Sequence, residues 1–448
     1  MNKQKIGKLS LLLITIIFLS SCGSLSSLPK TTPAPPLPPA KTIPTQNKEI
    51  ESAIRFLEDR VKDNPTDFVA YNLLAERYLR LLNETNNFTY LDLASKAISS
   101  SLEIAPKEKN LAALTALAEI QYTSHDFSAA SKDAKLLTKL MPKSLAAHQI
   151  LADSLLELGD YEQAKSIYQE MEKKTDYSSQ ATVSIEIRLA RVAALYGQTK
   201  IAENHLLAAL NAAIEDARPS RERVAWCRWQ LGDLAFSIGK YDAAKQHYQD
   251  ALTTYPDYPR ALASLGRVLA VEGELDKAIE ALQKAFNVLP EPIFAATLGD
   301  IYKVMGKEKE ASQQYELVEQ IGRLNKLNGA LYNRQLNLFY ADHDIKLEEA
   351  YSNAVKEYEI RQDVYGADVL AWTAFKVGKL DEAKKMIKET LKLNTQDAKF
   401  FYHAAMIAKA NGDKKAAQDY LKRVLELNPK FDLLQSEIAK KTLDELAL

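Results

Sequence analysis

Small residues recur along this chain at a spacing that few folds can accommodate. Alanine returns at intervals of 33 to 42 residues, and half of the ten intervals lie within one residue of 34. The positions are Ala53, Ala94, Ala130, Ala164, Ala202, Ala244, Ala278, Ala311, Ala350, Ala383 and Ala417. A period of this length is typical of stacked helical hairpins, each of which buries its apolar face only against its neighbours. It predicts one continuous array instead of the roughly three globular domains that 448 residues would ordinarily form.

The residues around these alanines favour helices packed in pairs. The composition agrees, because glycine is scarce, at 15 residues, and good helix formers dominate. Glycines near the predicted turns supply left-handed backbone, and prolines after second helices stop them. The clearest copies of the pattern are Leu231, Gly232, Gly239, Tyr241, Ala244, Tyr248, Ala251 and Pro256; Leu262, Leu265, Gly266, Leu269, Gly273, Ala278, Leu282, Ala285 and Pro290; and Leu298, Gly299, Tyr302, Gly306, Ala311 and Tyr315.

This pattern resembles the tetratricopeptide repeat over roughly residues 49–430. The resemblance implies an all-α fold, a right-handed α-α superhelix of about ten helix-turn-helix repeats, which we place at residues 48–430. A leading half-repeat occupies residues 49–65. The amphipathic stretch 431–448 is predicted to be a C-terminal capping helix that covers the apolar end of the stack.

The resemblance also implies that the first helices line a concave groove that binds a protein or peptide. Its lining is acidic over the N-terminal two-thirds and aromatic near the C-terminal end, which suits an extended peptide with basic residues and one apolar anchor. Core packing stays open as the alternative for each residue. The predicted groove residues are Glu76, Glu119, Asp153, Asp233, Asp300, Asp368, Trp372, Phe375, Tyr402 and Met406.

One familiar variant of this groove is disfavoured. Family members that bind chaperone tails hold a terminal carboxylate with lysines and asparagines at matched groove positions. At the fifth position of successive first helices this chain has Asn72, then Thr115, Gln149 and Ile187. The carboxylate clamp is therefore absent from the sequence.

The N-terminus predicts export and a lipid anchor. Three lysines precede the apolar run from Leu9 to Leu19, which is too short to cross a bilayer but fits a signal peptide over residues 1–21. The run ends in Leu19-Ser20-Ser21-Cys22, which resembles a bacterial lipobox. The resemblance implies that Cys22 is acylated with palmitate-type chains. After cleavage of the signal peptide, this cysteine becomes the first residue of the protein. An ordinary secretory signal with a chance cysteine is the alternative.

Residues 22–47 are predicted to be a tether. Seven of the sixteen prolines fall in this segment, so it favours extended polyproline II structure and cannot bury enough apolar surface to fold. We interpret it as a semi-rigid stalk between the membrane and the repeats.

The sequence offers little chemistry. It has no phosphate-binding glycine loop and no Cys-x-x-Cys or His-Glu-x-x-His pair, and a net charge of −1 gives no reason to expect nucleic acid as a partner. Asp342, His343 and Asp344 could ligate a cation, but a turn whose side chains satisfy free backbone groups explains them better. Cys227 is expected to be a buried, inert thiol. We predict no catalytic residue, cofactor or metal, and no enzyme.

The leading hypothesis is a membrane-anchored scaffold or adaptor lipoprotein that mediates protein–protein interactions in the bacterial cell envelope. Gly23 follows the acylated cysteine, where aspartate would retain a lipoprotein in the inner membrane of enteric bacteria. The periplasmic face of the outer membrane is therefore preferred for a Gram-negative host. The alternative is a periplasmic capture protein for a glycan, a small molecule or an exported peptide.

Overall fold

The structure is a computed structural model, and it describes residues 46–85, 88–173, 178–327 and 334–447. The predicted signal peptide, Cys22 and nearly all of the predicted tether lie outside these residues. The described part is built of 22 α-helices and one 3-10 turn, without strands. The all-α prediction is confirmed. The array begins at Gln46, two residues before the predicted start, so residues 46 and 47 belong to the first helix.

The described residues form two compact units. The first comprises residues 46–173 with Ile360–Gln362, and the second comprises the remainder. The helices of the first unit are α1 Gln46–Asp63, α2 Phe68–Thr85, α3 Thr89–Ile104, α4 Leu111–Thr123, α5 Phe127–Leu140, α6 Leu145–Glu157 and α7 Tyr161–Glu172.

The second unit continues the same alternation of first and second helices. Its helices are α8 Ser179–Leu195, α9 Thr199–Ile214, α10 Arg221–Ser237, α11 Tyr241–Thr254, α12 Pro259–Val271, α13 Leu275–Val288, α14 Pro292–Val304, α15 Glu308–Leu327, α16 Arg334–Asp342, α17 Leu347–Ile360, α18 Val364–Lys376, α19 Leu380–Leu391, α20 Ala398–Ala410, α21 Lys414–Leu427 and α22 Gln435–Ala447. The predicted capping helix is α22, which starts four residues later than expected and packs on α21.

The periodic alanines lie where two helices approach each other closely. From Ala94 to Ala417, each of them is at most 1% exposed, as a residue at a close helix crossing must be. Ala53 is the exception and is half-buried. It lies on α1, and no helix precedes α1 in the described chain.

Small residues on the first helix of a hairpin also allow its two helices to approach each other closely. A methyl group at Gly232 would lie 2.4 Å from the ring of Tyr248, and one at Gly266 would lie 2.8 Å from Leu282. Each glycine therefore lets the second helix place a large side chain directly against the backbone of the first. This contact closes each hairpin.

Turns and caps set the helix boundaries. Gly239 has φ of 71°, and His125 fills the equivalent left-handed position with φ of 61°. Side chains of Asp126, Ser144 and Asp160 accept hydrogen bonds from backbone N–H groups of the following helices, as N-caps do. The irregular turn predicted at residues 341–345 lies between α16 and α17, with φ of 56° at Asp344.

The second unit folds back on itself. The Thr395 hydroxyl donates to the carbonyl of Leu195 at 2.6 Å, and the Asn428 amide donates to the carbonyl of Phe236 at 2.9 Å. Loops near the C-terminus therefore contact the ends of helices about 200 residues earlier. Nothing in the local repeat pattern specifies these contacts.

Candidate functional site

Three of the predicted acidic groove residues take part in one recurring hydrogen bond. In each case a tyrosine on the second helix, fifteen residues further along, donates its hydroxyl to the aspartate on the first helix. The pairs are Tyr168–Asp153 at 2.5 Å, Tyr248–Asp233 at 2.6 Å and Tyr315–Asp300 at 2.8 Å. These carboxylates therefore tie the two helices of a hairpin together. The aspartate–tyrosine spacing of fifteen was visible in the sequence, and it signals this structural role.

The exposed part of the predicted groove lies in the first unit, where α2, α4 and α6 are neighbours. We call the exposed side chains at the second and ninth positions of these helices the unit-1 face. It consists of Val69, Glu76, Ala112, Glu119 and Ala146. Val69 is 47% exposed, and the two alanines leave the helix backbone open to a close approach. The face thus combines glutamates at the ninth positions with small and apolar residues at the second positions.

The two glutamates of the unit-1 face differ. Glu76 pairs with the adjacent Arg77 at 3.0 Å, and this pair is exposed. The carboxylate of Glu119 has no hydrogen bond or ion pair with any described residue, although surrounding protein atoms desolvate it and raise its pKa. An exposed but partly desolvated carboxylate of this kind is stabilised by an incoming cation.

Asn72 is held inside the first unit. Its side-chain amide donates to Asn110 at 2.7 Å, and its oxygen accepts from the hydroxyl of Ser101 at 2.6 Å. The single asparagine that could have belonged to a carboxylate clamp therefore joins α2 to the end of α3 and the start of α4.

The aromatic end of the predicted groove is packed. Trp372 and Tyr402 are 2% and 3% exposed, and the indole stacks on His403 with ring centroids 4.1 Å apart. Asp368 is also buried and bonds to the imidazole of His403 at 2.8 Å. Phe375 and Met406 are half-buried. The structure brings these residues together, but as a buried cluster across α18 and α20.

The side chains of Asp342, His343 and Asp344 form bonds with different partners and do not converge on one site. Asp342 accepts from the indole N–H of Trp372 at 2.8 Å and from Lys399 at 3.0 Å. Asp344 pairs with Lys376 at 2.6 Å. Burial alone would raise the pKa of Asp342, but nearby positive charge, that of Lys399 first, and hydrogen bonds from Lys399 and Gln435 together outweigh burial and hold the pKa below its usual value. The interpretation as a structural turn agrees with this arrangement.

His343 is bonded through both ring nitrogens. Nδ1 lies 2.8 Å from the carbonyl oxygen of Phe339, and Nε2 lies 2.8 Å from Oδ1 of Asp300. Both partners are acceptors, so the ring must carry both protons to satisfy them. Burial opposes this charge, but the hydrogen bond and charge of Asp300 outweigh it and raise the pKa of His343 above 6.5.

We expect this pair to make stability depend on pH. Because the pKa of His343 is higher in the folded state, its contribution is complete below about pH 6.5 and is lost as pH rises through the folded pKa. Chemical unfolding between pH 6 and pH 9 should show stability falling more for the native chain than for His343→Gln. Equal falls would contradict the charged pair.

Cys227 is fully buried on α10, and burial raises the pKa of its thiol to about 12. A thiol with such a pKa is not a nucleophile at neutral pH. The expectation of a buried, inert cysteine is met.

The fold and these faces define a class, the α-helical repeat proteins built of stacked hairpins. Family models described as tetratricopeptide repeat match residues 146–174, 181–257, 229–287 and 398–431. The chain carries tetratricopeptide repeats, and proteins with this repeat generally mediate protein–protein interactions as scaffolds.

Relatives carry the same repeat. TPR repeat-containing protein MJ1428 of Methanocaldococcus jannaschii is 22% identical over 86% of this chain and 67% of its own length. TPR repeat-containing protein YpiA of Bacillus subtilis is 23% identical over 72% of this chain and 71% of its own length. The crystal structure of the APC/C hetero-tetramer Cut9-Hcn1 aligns with 83% of this chain and 96% of that chain, at 14% identity and a TM-score of 0.34.

Among the described helices, none combines the length and the apolar character needed to cross a bilayer.

Proposed function

We propose that this protein is a membrane-anchored scaffold lipoprotein of the bacterial cell envelope that binds a protein partner on the unit-1 face. The observation that carries the proposal is the exposure of this face in a repeat whose first helices serve recognition. In the second unit, by contrast, the predicted aspartates are hydrogen-bonded to other side chains of the unit, and the predicted aromatic residues pack in a buried cluster.

The chemistry of the unit-1 face favours an extended segment with basic side chains. A lysine or arginine beside Glu119 would compensate the desolvated carboxylate, and a second could pair with Glu76. Small side chains at Ala112 and Ala146 leave room for the partner's backbone. Val69 offers an apolar contact at one end.

The anchor belongs to the same proposal. The signal-like residues 1–21 and the lipobox-like sequence before Cys22 support acylation of this cysteine. Several acyl chains on one residue hold a protein on a membrane stably, whereas a single chain is marginal. The proline-rich residues 22–45 then space the repeats from the lipid, at the periplasmic face of the outer membrane in a Gram-negative host.

The partner-binding part is tested by crosslinked capture from envelope membranes. The double substitution Glu76→Gln/Glu119→Gln should weaken capture of one protein partner about tenfold, since two charged contacts at an interface are lost. Glu103→Gln/Glu170→Gln is the matched control, because both residues are exposed on second helices of the same unit. Equal capture by both variants would refute the face. A small molecule found by native mass spectrometry, without a protein partner, would support the capture alternative instead.

The anchor is tested by fractionation. Cys22→Ser should move the full-length chain from the membrane fraction to the soluble fraction, because the thiol that receives the lipid is gone. Cys227→Ser is the control and should leave the chain with the membranes. A Cys22→Ser chain that stays in the membrane fraction would refute acylation as the anchor.

A further inference from the structure

The segment between α21 and α22, residues 428–434, lies across first helices of the second unit. We call it the C-terminal linker. Asn428 is 2% exposed; its amide donates to the carbonyl of Phe236, and its oxygen accepts from the hydroxyl of Tyr241 at 2.6 Å. Lys430 donates to the carbonyl of Val271 at 2.7 Å. The linker therefore begins at the ends of α10 and α12.

Its next three side chains contact helices of the second unit, and one of them reaches the predicted groove residue Tyr402. The ring of Phe431 lies 5.4 Å from that of Tyr402, and the carboxylate of Asp432 lies 3.5 Å from the ammonium of Lys399. Leu433 packs on the apolar cluster of α12 and α14. At the start of α22, Gln435 then donates to Asp342 at 2.6 Å. Aromatic, acidic and aliphatic side chains at consecutive positions thus contact α20 and the α12–α14 cluster, and Gln435 adds a contact to α16.

We propose that the C-terminal linker is an internal ligand of the second unit, and that the groove accepts a partner segment of the same chemistry. Such a partner presents an aromatic residue to Tyr402, a carboxylate to Lys399 and an aliphatic residue to the α12–α14 cluster. The inference rests on the proposed function only in taking the chain to bind protein segments. It concerns a face of the second unit instead of the unit-1 face, and a partner segment with an acidic side chain instead of basic ones.

The face is built to survive departure of the linker. Lys399 on α20 keeps Asp342 on α16 as a partner at 3.0 Å when Asp432 leaves, so the half-buried ammonium is not left unpaired. The linker residues from Phe431 to Leu434 are only half-buried. Because the linker is tethered, it competes at an effective concentration in the millimolar range (roughly 1 mM or more), and a free segment must exceed it.

The test uses a fluorescent nonapeptide with the sequence of residues 428–436. It should bind purified Phe431→Ala/Leu433→Ala chain at least about tenfold more tightly than native chain, whose own linker competes. The same peptide with its aspartate replaced by asparagine should bind the variant more weakly, because it offers Lys399 no charge. Equal affinity for the variant and the native chain, or equal binding of both peptides, would overturn the proposal.

A second measurement uses the native chain, so it tests the proposal even if the Phe431→Ala/Leu433→Ala variant does not fold. Millimolar nonapeptide (about 1–5 mM, in the range of the effective concentration of the tether) should accelerate hydrogen exchange of the α22 amides in the native chain and leave those of α12 protected. Unchanged α22 exchange would overturn the inference. Both measurements use purified protein, so they can fail or succeed independently of partner capture by the unit-1 face.

Discussion

Trp372→Ala is expected to lower the free energy of unfolding by about 4 kcal/mol, as for other buried tryptophans truncated to alanine. The indole is 2% exposed and stacks on Phe375 and His403 with centroid distances of 5.0 and 4.1 Å. Its removal opens a cavity between α18 and α20 and takes one hydrogen bond from Asp342. Denaturant unfolding of the purified chain measures the effect.

Trp372→Phe separates packing from hydrogen bonding. It keeps an aromatic ring in the stack but loses the indole N–H, so we expect a smaller loss of about 1–2 kcal/mol. Asp342 retains Lys399 and Gln435 as partners. If Trp372→Ala left stability unchanged and abolished partner capture, the residue would be a surface anchor, as the sequence suggested.

Gly232→Val is expected to destabilise the second unit by about 3 kcal/mol, the upper part of the range for overpacked cores. Even the first carbon of a side chain at this position would lie 2.4 Å from the ring of Tyr248. That ring is fully buried, and its hydroxyl is bonded to Asp233, so it cannot swing away without breaking the bond. Thermal and denaturant unfolding report the loss.

Gly232→Ala is the matched comparison, and we expect a smaller loss of about 1–2 kcal/mol, because alanine adds one carbon against Tyr248 where valine adds three. Ala152 occupies the equivalent position in the first unit, sixteen residues before Tyr168, whose hydroxyl is bonded to Asp153. A single methyl group is thus tolerated beside such a tyrosine after a small shift, and its helix propensity offsets part of the strain. Equal losses for alanine and valine would show that backbone conformation, and not steric overlap, requires the glycine.

Candidate site residues were harder to predict from the sequence than the fold was. Register alone placed Glu119 and Asp368 at groove positions of first helices, and it could not tell which would be covered. Glu119 is exposed, although nearby protein atoms partly desolvate its carboxylate. Asp368 is buried, and the imidazole of His403 from the next repeat bonds to its carboxylate. Exposure depends on the side chains of neighbouring repeats, which a single repeat does not contain.

By itself the sequence determined the repeating unit of this protein. Alanine and glycine at fixed positions set the crossings, and the alternation of turn and cap residues set the helix boundaries, because both depend on contacts within about 34 residues. Only the tertiary structure decided where the chain meets itself. Small rotations between repeats accumulate over the second unit until Thr395 reaches Leu195 and the C-terminal linker reaches α10 and α12. That accumulated geometry fills the groove of the second unit with the chain's own residues.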